Sequence, residues 1–278
     1  MIANLAAGQV AITFKLHGPS SCIVTACASG TNSIGDAFRL IQQGEADVML
    51  AGGTEAAVSE AAVAGFAAMK ALCSDHNEDP AHASRPFDKN RSGFVMGEGA
   101  GLLVLESLEH AKARSAHIYA ELVGYGTNSD AYHVTSPAPG GAYQAKCMKL
   151  ALDDAGLAPA EVDYVNAHGT STHLNDEGET LAIKKIWGEA AKDVSVSSIK
   201  SMTGHLLGAA GGIEAVATAL AVEKDMLPPT MNYETPDEGL DLDYVPNKAK
   251  AKKVRAAISN NFGFGGHNAC IVMKKYAE

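Results

Sequence analysis

Two periods of hydrophobic and polar positions alternate along the chain, and the places where one gives way to the other mark its elements. Residues 22–53 read as a βαβ unit. Cys22-Ile23-Val24-Thr25-Ala26 is a strand, and small residues then lead into a helix over Ser29–Gln43. Ile34, Phe38 and Ile41 stand at helical spacing, and Gly44 can end the helix before a second strand over Asp47–Gly53. Gly101–Glu106 and Tyr119–Tyr125 continue the strand pattern, with a basic helix near Leu108–Arg114 between them. The second half predicts helices near Ala142–Ala155, Gly178–Trp187 and Leu206–Val222. Its strands are Val162–Asn166, Val194–Ser198, Ala256–Asn260 and Ala269–Met273, the last two joined by a tight Phe-Gly-Phe-Gly-Gly turn. Val10–Phe14 fits a strand or a helix. This alternation implies an α/β fold with a mainly parallel sheet covered on both faces.

No long linker interrupts the 278 residues, which suffice for one large α/β unit or two smaller ones. Each half has a strand ending in a small-residue turn with a reactive side chain, a faint sign of internal duplication. No apolar run reaches eighteen residues and Met1–Val10 has no basic segment, so neither a membrane span nor a secretory signal is expected. Five scattered cysteines without Cys-x-x-Cys spacing argue against a disulfide framework or a zinc knuckle, and for a reducing cytoplasm. A formal net charge of -10 argues against nucleic acid as a partner. The basic run Lys248, Lys250, Lys252, Lys253 and Arg255 reads first as a solvated loop and second as a dock for an acidic partner.

Chemistry gathers at a few turns. A cysteine is most often a small buried hydrophobe, but Cys27 stands at a strand-to-helix junction, where a helix N-terminus favours a thiolate near neutral pH. Cys22, inside the strand, reads as structural. His168 follows a strand and precedes Gly169-Thr170-Ser171-Thr172, where open α/β sheets place ligands; His205 has the same local setting. Either histidine alone reads as an ordinary hydrogen-bonded residue, and the two together are harder to dismiss. Gly208, Gly211 and Gly212 each cost a helix roughly 1 kcal/mol relative to alanine, which makes sense where another backbone, such as the Cys27 helix, comes very close. Lys200 and Glu214 flank that segment and are expected to pair if buried. Phe262-Gly263-Phe264-Gly265-Gly266 can aim an N–H at a developing oxyanion, form a plain hairpin, or cradle phosphate, although no P-loop Lys-Ser/Thr follows. One thiol, two imidazoles and glycine-rich turns point to covalent acyl chemistry.

Cys27 in VTACASG, His168 in NAHGTST, Lys200 and His205 in KSMTGHLLGAAGG, and Phe264 in NNFGFGGHN occur in the order seen in β-ketoacyl-acyl carrier protein synthases. The chain resembles most the type II elongating enzyme of bacterial fatty-acid synthesis. The likeness extends through SRPFDKNRSGFVMGEGAG (84–101) and SDAYHVTSPAP (129–139).

That resemblance implies a thiolase-like layered fold: two βα halves with buried central helices packed back to back, in a homodimer of cytoplasmic location. Residues 1–120 would be the C-terminal portion of the first half and carry the nucleophile. Residues 121–278 would be the second half and carry both histidines. The resemblance implies that Cys27 accepts an acyl chain from acyl carrier protein and that His168 and His205 assist decarboxylation of malonyl-acyl carrier protein. It assigns the oxyanion hole to the N–H groups of Cys27 and Phe264, with Phe264 also a gate. Lys200 counts with Cys27, His168 and His205 among the catalytic residues, Glu214 and Phe262 support the site, and Phe66, Thr135, Thr170 and Thr172 meet substrate. Lys70 would touch the carrier protein, and neither a cofactor nor a metal is needed.

Two positions depart from the family pattern: His173-Leu174-Asn175-Asp176 where many relatives have a Pro and a Gly-Asp pair, and His267 where a Thr is common. Only 26 residues precede Cys27, where the family has a long segment supplying the first strands and part of the acyl pocket. The first half is therefore expected to be incomplete, with sheet edges and helix faces uncovered. The chain could then be an inactive or partner-dependent fragment. Polyketide-type synthases share the Cys-His-His set; thiolases, with a second cysteine, and cysteine hydrolases fit less well.

Overall fold

A computed structural model describes residues 2–277 of the chain. The order of elements begins with helix α1 (Leu5–Phe14), a 3₁₀ turn at Ala26–Ala28, α2 (Ser29–Gln42), β1 (Val48–Glu55) and α3 (Glu60–Ala68). It continues with β2 (Gly99–Glu106), α4 (Leu108–Ala113), β3 (Glu121–Ser129), α5 (Ala142–Ala155), β4 (Tyr164–Asn166) and α6 (His173–Trp187). Then come β5 (Ser195–Ser197), the single turn α7 (Lys200–Thr203), α8 (Ala210–Lys224), the short strands β6 (Met226–Leu227) and β7 (Lys250–Ala251), β8 (Ala256–Gly263) and β9 (His267–Lys274).

The main sheet has five strands in the order β3-β9-β8-β4-β5. It is mixed rather than mainly parallel: β4 runs parallel to β5 and β8, while β9 is antiparallel to both β8 and β3. The cause is local, because the three-residue turn between β8 and β9 can join only antiparallel strands. Alternation along these strands feeds two cores. Ala256, Ile258, Cys270 and Val272 face α5 and α6 in one cluster. Ala257, Ile271 and Met273 face α2 and α8 in the other. On the far side of α2 and α8 lies the antiparallel pair β1–β2, whose Met49, Ala51, Leu103 and Leu105 face the helices. Their alternate neighbours Val48, Leu50, Leu102 and Val104 are exposed.

Helices α2 and α8 meet backbone to backbone, as the glycines of the second helix require. A Cβ on Gly30 would lie 2.7 Å from Gly212 N and 3.1 Å from Gly208 O, closer than such contacts permit. This contact sets the Cys27 turn against the segment that carries His205.

Other expectations change. No strand forms over 22–26: a strand exists only through pairing, and among the described residues nothing pairs with this segment, so Val24 and Cys22 are exposed. Cys22 is therefore not a core residue. Val10–Phe14 is helical, in an α1 that buries none of its side chains. Helix α6 starts at His173, five residues before the periodicity becomes visible. Two members of the basic run are tied to acidic neighbours, Lys250 to Asp243 at 2.6 Å and Arg255 to Asp163 at 2.7 Å. Among the described residues no helix is long and apolar enough to cross a membrane.

Candidate active site

Cys27 sits in the 3₁₀ turn that opens α2. The residue before it, Ala26, takes a left-handed φ of 50°, a strained conformation for a side chain with a Cβ. Around it, Ser29 Oγ donates to Ala26 O (2.7 Å) and accepts from Thr25 N (2.9 Å), while Asn32 Nδ2 donates to Thr25 Oγ1 (2.7 Å). The turn is thus fixed by its own side chains before any substrate arrives.

The β8–β9 turn closes over it. Gly263 passes so near that a Cβ there would lie 2.8 Å from Thr25 O and 3.0 Å from Cys27 N. That approach aims the N–H groups of Phe264 and of Cys27 itself at the sulfur. Two converging backbone donors are what an oxyanion hole needs. The Phe264 ring is half-buried and stands 6.4 Å from Phe66, which also meets Phe94 edge-on at 5.4 Å.

His205 and His168 reach the sulfur from the other side of the α2–α8 contact. His205 Nε2 lies 3.0 Å from Cys27 Sγ, and the two imidazoles stack edge to face with centroids 5.3 Å apart. His205 is pinned through its main chain, donating to Val95 O (2.7 Å) and accepting from Gly97 N (3.0 Å). His168 leaves the carboxyl end of β4, and its N–H donates to Glu179 Oε1 at 2.9 Å. The second nitrogen of each ring is also engaged. Leu207 N–H donates to His205 Nδ1 (3.3 Å), and Lys200 Nζ lies 3.3 Å from His168 Nδ1. Both Nδ1 atoms therefore accept, and each neutral ring carries its proton on Nε2, facing the sulfur.

Burial governs the titration of all three groups. It pushes the Cys27 thiol up to about 11, against the opposing pull of the Lys200 charge and the two N–H groups. Burial, with Lys200 adding to it, holds both histidines well below the usual imidazole range. The thiolate expected from the helix N-terminus is therefore not the resting state: desolvation outweighs the helix end, and the free site holds a thiol and two neutral imidazoles.

Lys200 and Glu214 form the expected buried ion pair. Asn261 Nδ2 donates to Glu214 Oε2 (2.7 Å) and also lies 3.4 Å from His168 Nδ1; its Oδ1 accepts from Thr31. Glu179, fully buried, accepts from His168 N, Gly169 N (2.8 Å) and Asn260 Nδ2 (3.1 Å), and burial raises its carboxyl to about 7. Sequence reasoning missed Asn261, Glu179 and Asp176, the last a buried carboxylate that accepts from Phe87 N (2.9 Å) and faces Arg91. The signal available was a run of acidic residues inside a helix that follows the NAHGTST loop.

Cys27, His168 and His205 line one end of a cavity of about 290 Å³. Cys27, His168, His205, Phe262, Phe264, Thr135, Thr170, Thr172 and Lys70 all reach it, as does His173. Thr170 and Thr172 hydroxyls lie 2.8 Å apart on its wall. Lys70 is exposed at the rim on a left-handed backbone (φ 55°). Phe66 does not line the cavity and instead backs the Phe264 ring, while Lys200 and Glu214 lie behind His168. The wall loop 130–137 is bound to the glycine turn: Gly265 N donates to Val134 O (2.7 Å), and Asp130 accepts from Asn268 Nδ2 (2.6 Å).

The geometry brings one cysteine and two histidines together at one end of a single cavity, and the chain can be set beside known proteins. The β-ketoacyl synthase N-terminal domain matches residues 1–111, and the β-ketoacyl synthase C-terminal domain matches residues 119–234. The chain belongs to the β-ketoacyl synthase family and has its thiolase-like fold. It is 58% identical over 276 residues to the 3-oxoacyl-(acyl-carrier-protein) synthase 2 of Synechocystis, and 55% identical to that of Staphylococcus aureus strain COL. Each match covers 99% of this chain but 66% of the relative, so the chain spans slightly less than two thirds of those proteins' length. Among solved structures, a type II polyketide ketosynthase in complex with its acyl-carrier protein superimposes with a TM-score of 0.97 at 44% identity, covering 99% of this chain and 67% of that one. A β-ketoacyl synthase from Burkholderia phymatum gives 0.93 at 41%, covering 99% and 66%.

Proposed function

We propose that this chain carries the reaction centre of a decarboxylating 3-oxoacyl-acyl carrier protein synthase of fatty-acid elongation. The observation that supports it best is the convergence of Cys27 Sγ, the two proton-bearing Nε2 atoms and two backbone N–H donors at one end of one cavity. In the first step the Cys27 sulfur attacks an acyl thioester on acyl carrier protein. The carbonyl oxygen takes up charge facing the N–H groups of Cys27 and Phe264, the carrier's C–S bond breaks, and the thiol proton leaves with the carrier's sulfur.

In the second step a malonyl thioester enters and its carbonyl oxygen accepts from His168 and His205 Nε2–H. The C–C bond to its carboxylate breaks, carbon dioxide leaves, and the electron pair passes into an enolate. The enolate carbon attacks the Cys27 thioester, the C–S bond breaks, and a 3-oxoacyl thioester departs while the released Cys27 thiolate takes a proton from solvent. Lys200 and Glu214 hold His168 in the required tautomer. Thr135, Thr170 and Thr172 meet the pantetheine arm, Lys70 meets an acidic carrier surface, and Phe264, backed by Phe66, gates the acyl chain.

The reading extends to a cytoplasmic homodimer in which residues 1–120 belong to the first half and 121–278 to the second. Incubation with acyl- and malonyl-acyl carrier protein tests it. A 3-oxoacyl thioester two carbons longer than the primer supports it; free fatty acid as the product would mean hydrolysis and overturn it.

A further inference from the structure

One nitrogen of each imidazole and the Cys27 sulfur lie within 4.8 Å of one another, all three residues buried. By donor type and spacing this resembles a catalytic zinc site, with two imidazoles and a thiolate converging and a fourth position open to the cavity. A soft divalent cation held there would occupy the nucleophile. The surrounding hydrogen bonds oppose such capture.

Lys200 Nζ has three protons and three acceptors: Glu214 Oε1, His168 O at 2.6 Å and His168 Nδ1 at 3.3 Å. Asn261 Nδ2 stands 3.4 Å from the same Nδ1, and Leu207 N–H occupies His205 Nδ1. A cation beside the sulfur needs a lone pair from each Nε2, so each ring would have to move its proton to Nδ1, where it would point at an N–H donor. Metal-binding histidines have the reverse arrangement, giving their second N–H to a carboxylate or carbonyl. At His168 the opposing donor is also a full positive charge.

We propose that Lys200 keeps soft divalent cations out of the Cys27–His168–His205 cluster, a role separate from turnover. Capture would form a metal–sulfur bond as the thiol proton passes to solvent, with both ring protons moving to Nδ1. Removing the ammonium takes away the charged donor that opposes His168 Nδ1 and leaves only the more distant neutral Asn261 Nδ2. Cobalt(II) is a suitable probe, since thiolate ligation gives a charge-transfer band in the near ultraviolet. The unaltered chain is expected to show no such band with a several-fold excess of cobalt(II). Lys200→Met should bind one ion at least about 10–100-fold more tightly, the scale on which groups around a ligand tune metal affinity. Adding Cys27→Ala should abolish the band. Because Lys200→Met leaves Glu214 buried and unpaired, Lys200→Met/Glu214→Gln serves as a second variant with no stranded charge. Equal affinity in the unaltered chain and both variants, whether all bind or none does, overturns the proposal; so does a band that survives Cys27→Ala.

Discussion

At the scale of single residues, the chemistry turns on where protons rest. With its thiol raised to about 11, Cys27 in the free protein gains thiolate as pH climbs through that value. Its iodoacetamide alkylation should therefore rise about tenfold per pH unit from 7 to 10. A rate that levels off below pH 8 would mean the thiolate exists before substrate arrives. Gly263 sets the distance between the nucleophile turn and the β8–β9 hairpin. Gly263→Ala should slow acylation of Cys27 by at least about tenfold and cost about 1–3 kcal/mol in urea unfolding. Unchanged acylation would show that this approach does not form the oxyanion hole. Cys27, His168, His205 and Phe264 were legible in the sequence, since each stands in a short turn of unusual composition, whereas Asn261, Glu179 and Asp176, inside a strand and a helix, were not. The protonation of Cys27 was not, because burial is a property of the assembled molecule and here outweighs the helix end.

Among elements, the α2–α8 contact joins the Cys27 turn to the histidines. Gly30→Ala places a methyl group against Gly212 N and Gly208 O, and should cost about 1–3 kcal/mol while lowering acylation, since the helices cannot both keep their places. Helix α6 contributes Glu179, whose carboxyl is raised to about 7 from a usual 4.5. A raised acid stabilises the fold in its protonated form, so that contribution is complete below pH 4.5 and is lost as pH rises through 7. The stability of the unaltered chain relative to Glu179→Gln, which mimics the neutral acid, should fall across this window by on the order of 3 kcal/mol. A constant difference would contradict the raised value. The glycines of α8 foretold their helix contact because a repeated cost in helix propensity needs a tertiary reason. The strand expected at 22–26 failed because apolar content cannot supply a pairing partner, and the parallel sheet failed because the hairpin turn was not weighed against the alternation of elements.

Over the whole molecule, burial is uneven. Strands β8 and β9 are covered on both faces, whereas β1–β2 has two strands and an exposed apolar outer face, and α1 buries no side chain. A two-stranded pair has little stability of its own. Amide exchange in α1, β1 and β2 should therefore run orders of magnitude faster than in β8 and β9. Equal protection would mean that the β1–β2 face is covered in solution.

The most direct measurement is intact-mass analysis of the chain and of Cys27→Ala after incubation with an acyl-acyl carrier protein thioester. A single acyl adduct is expected on the unaltered chain and none on the variant. No adduct on the folded chain, or equal adducts on both, would contradict the claim that Cys27 is the nucleophile of an assembled site.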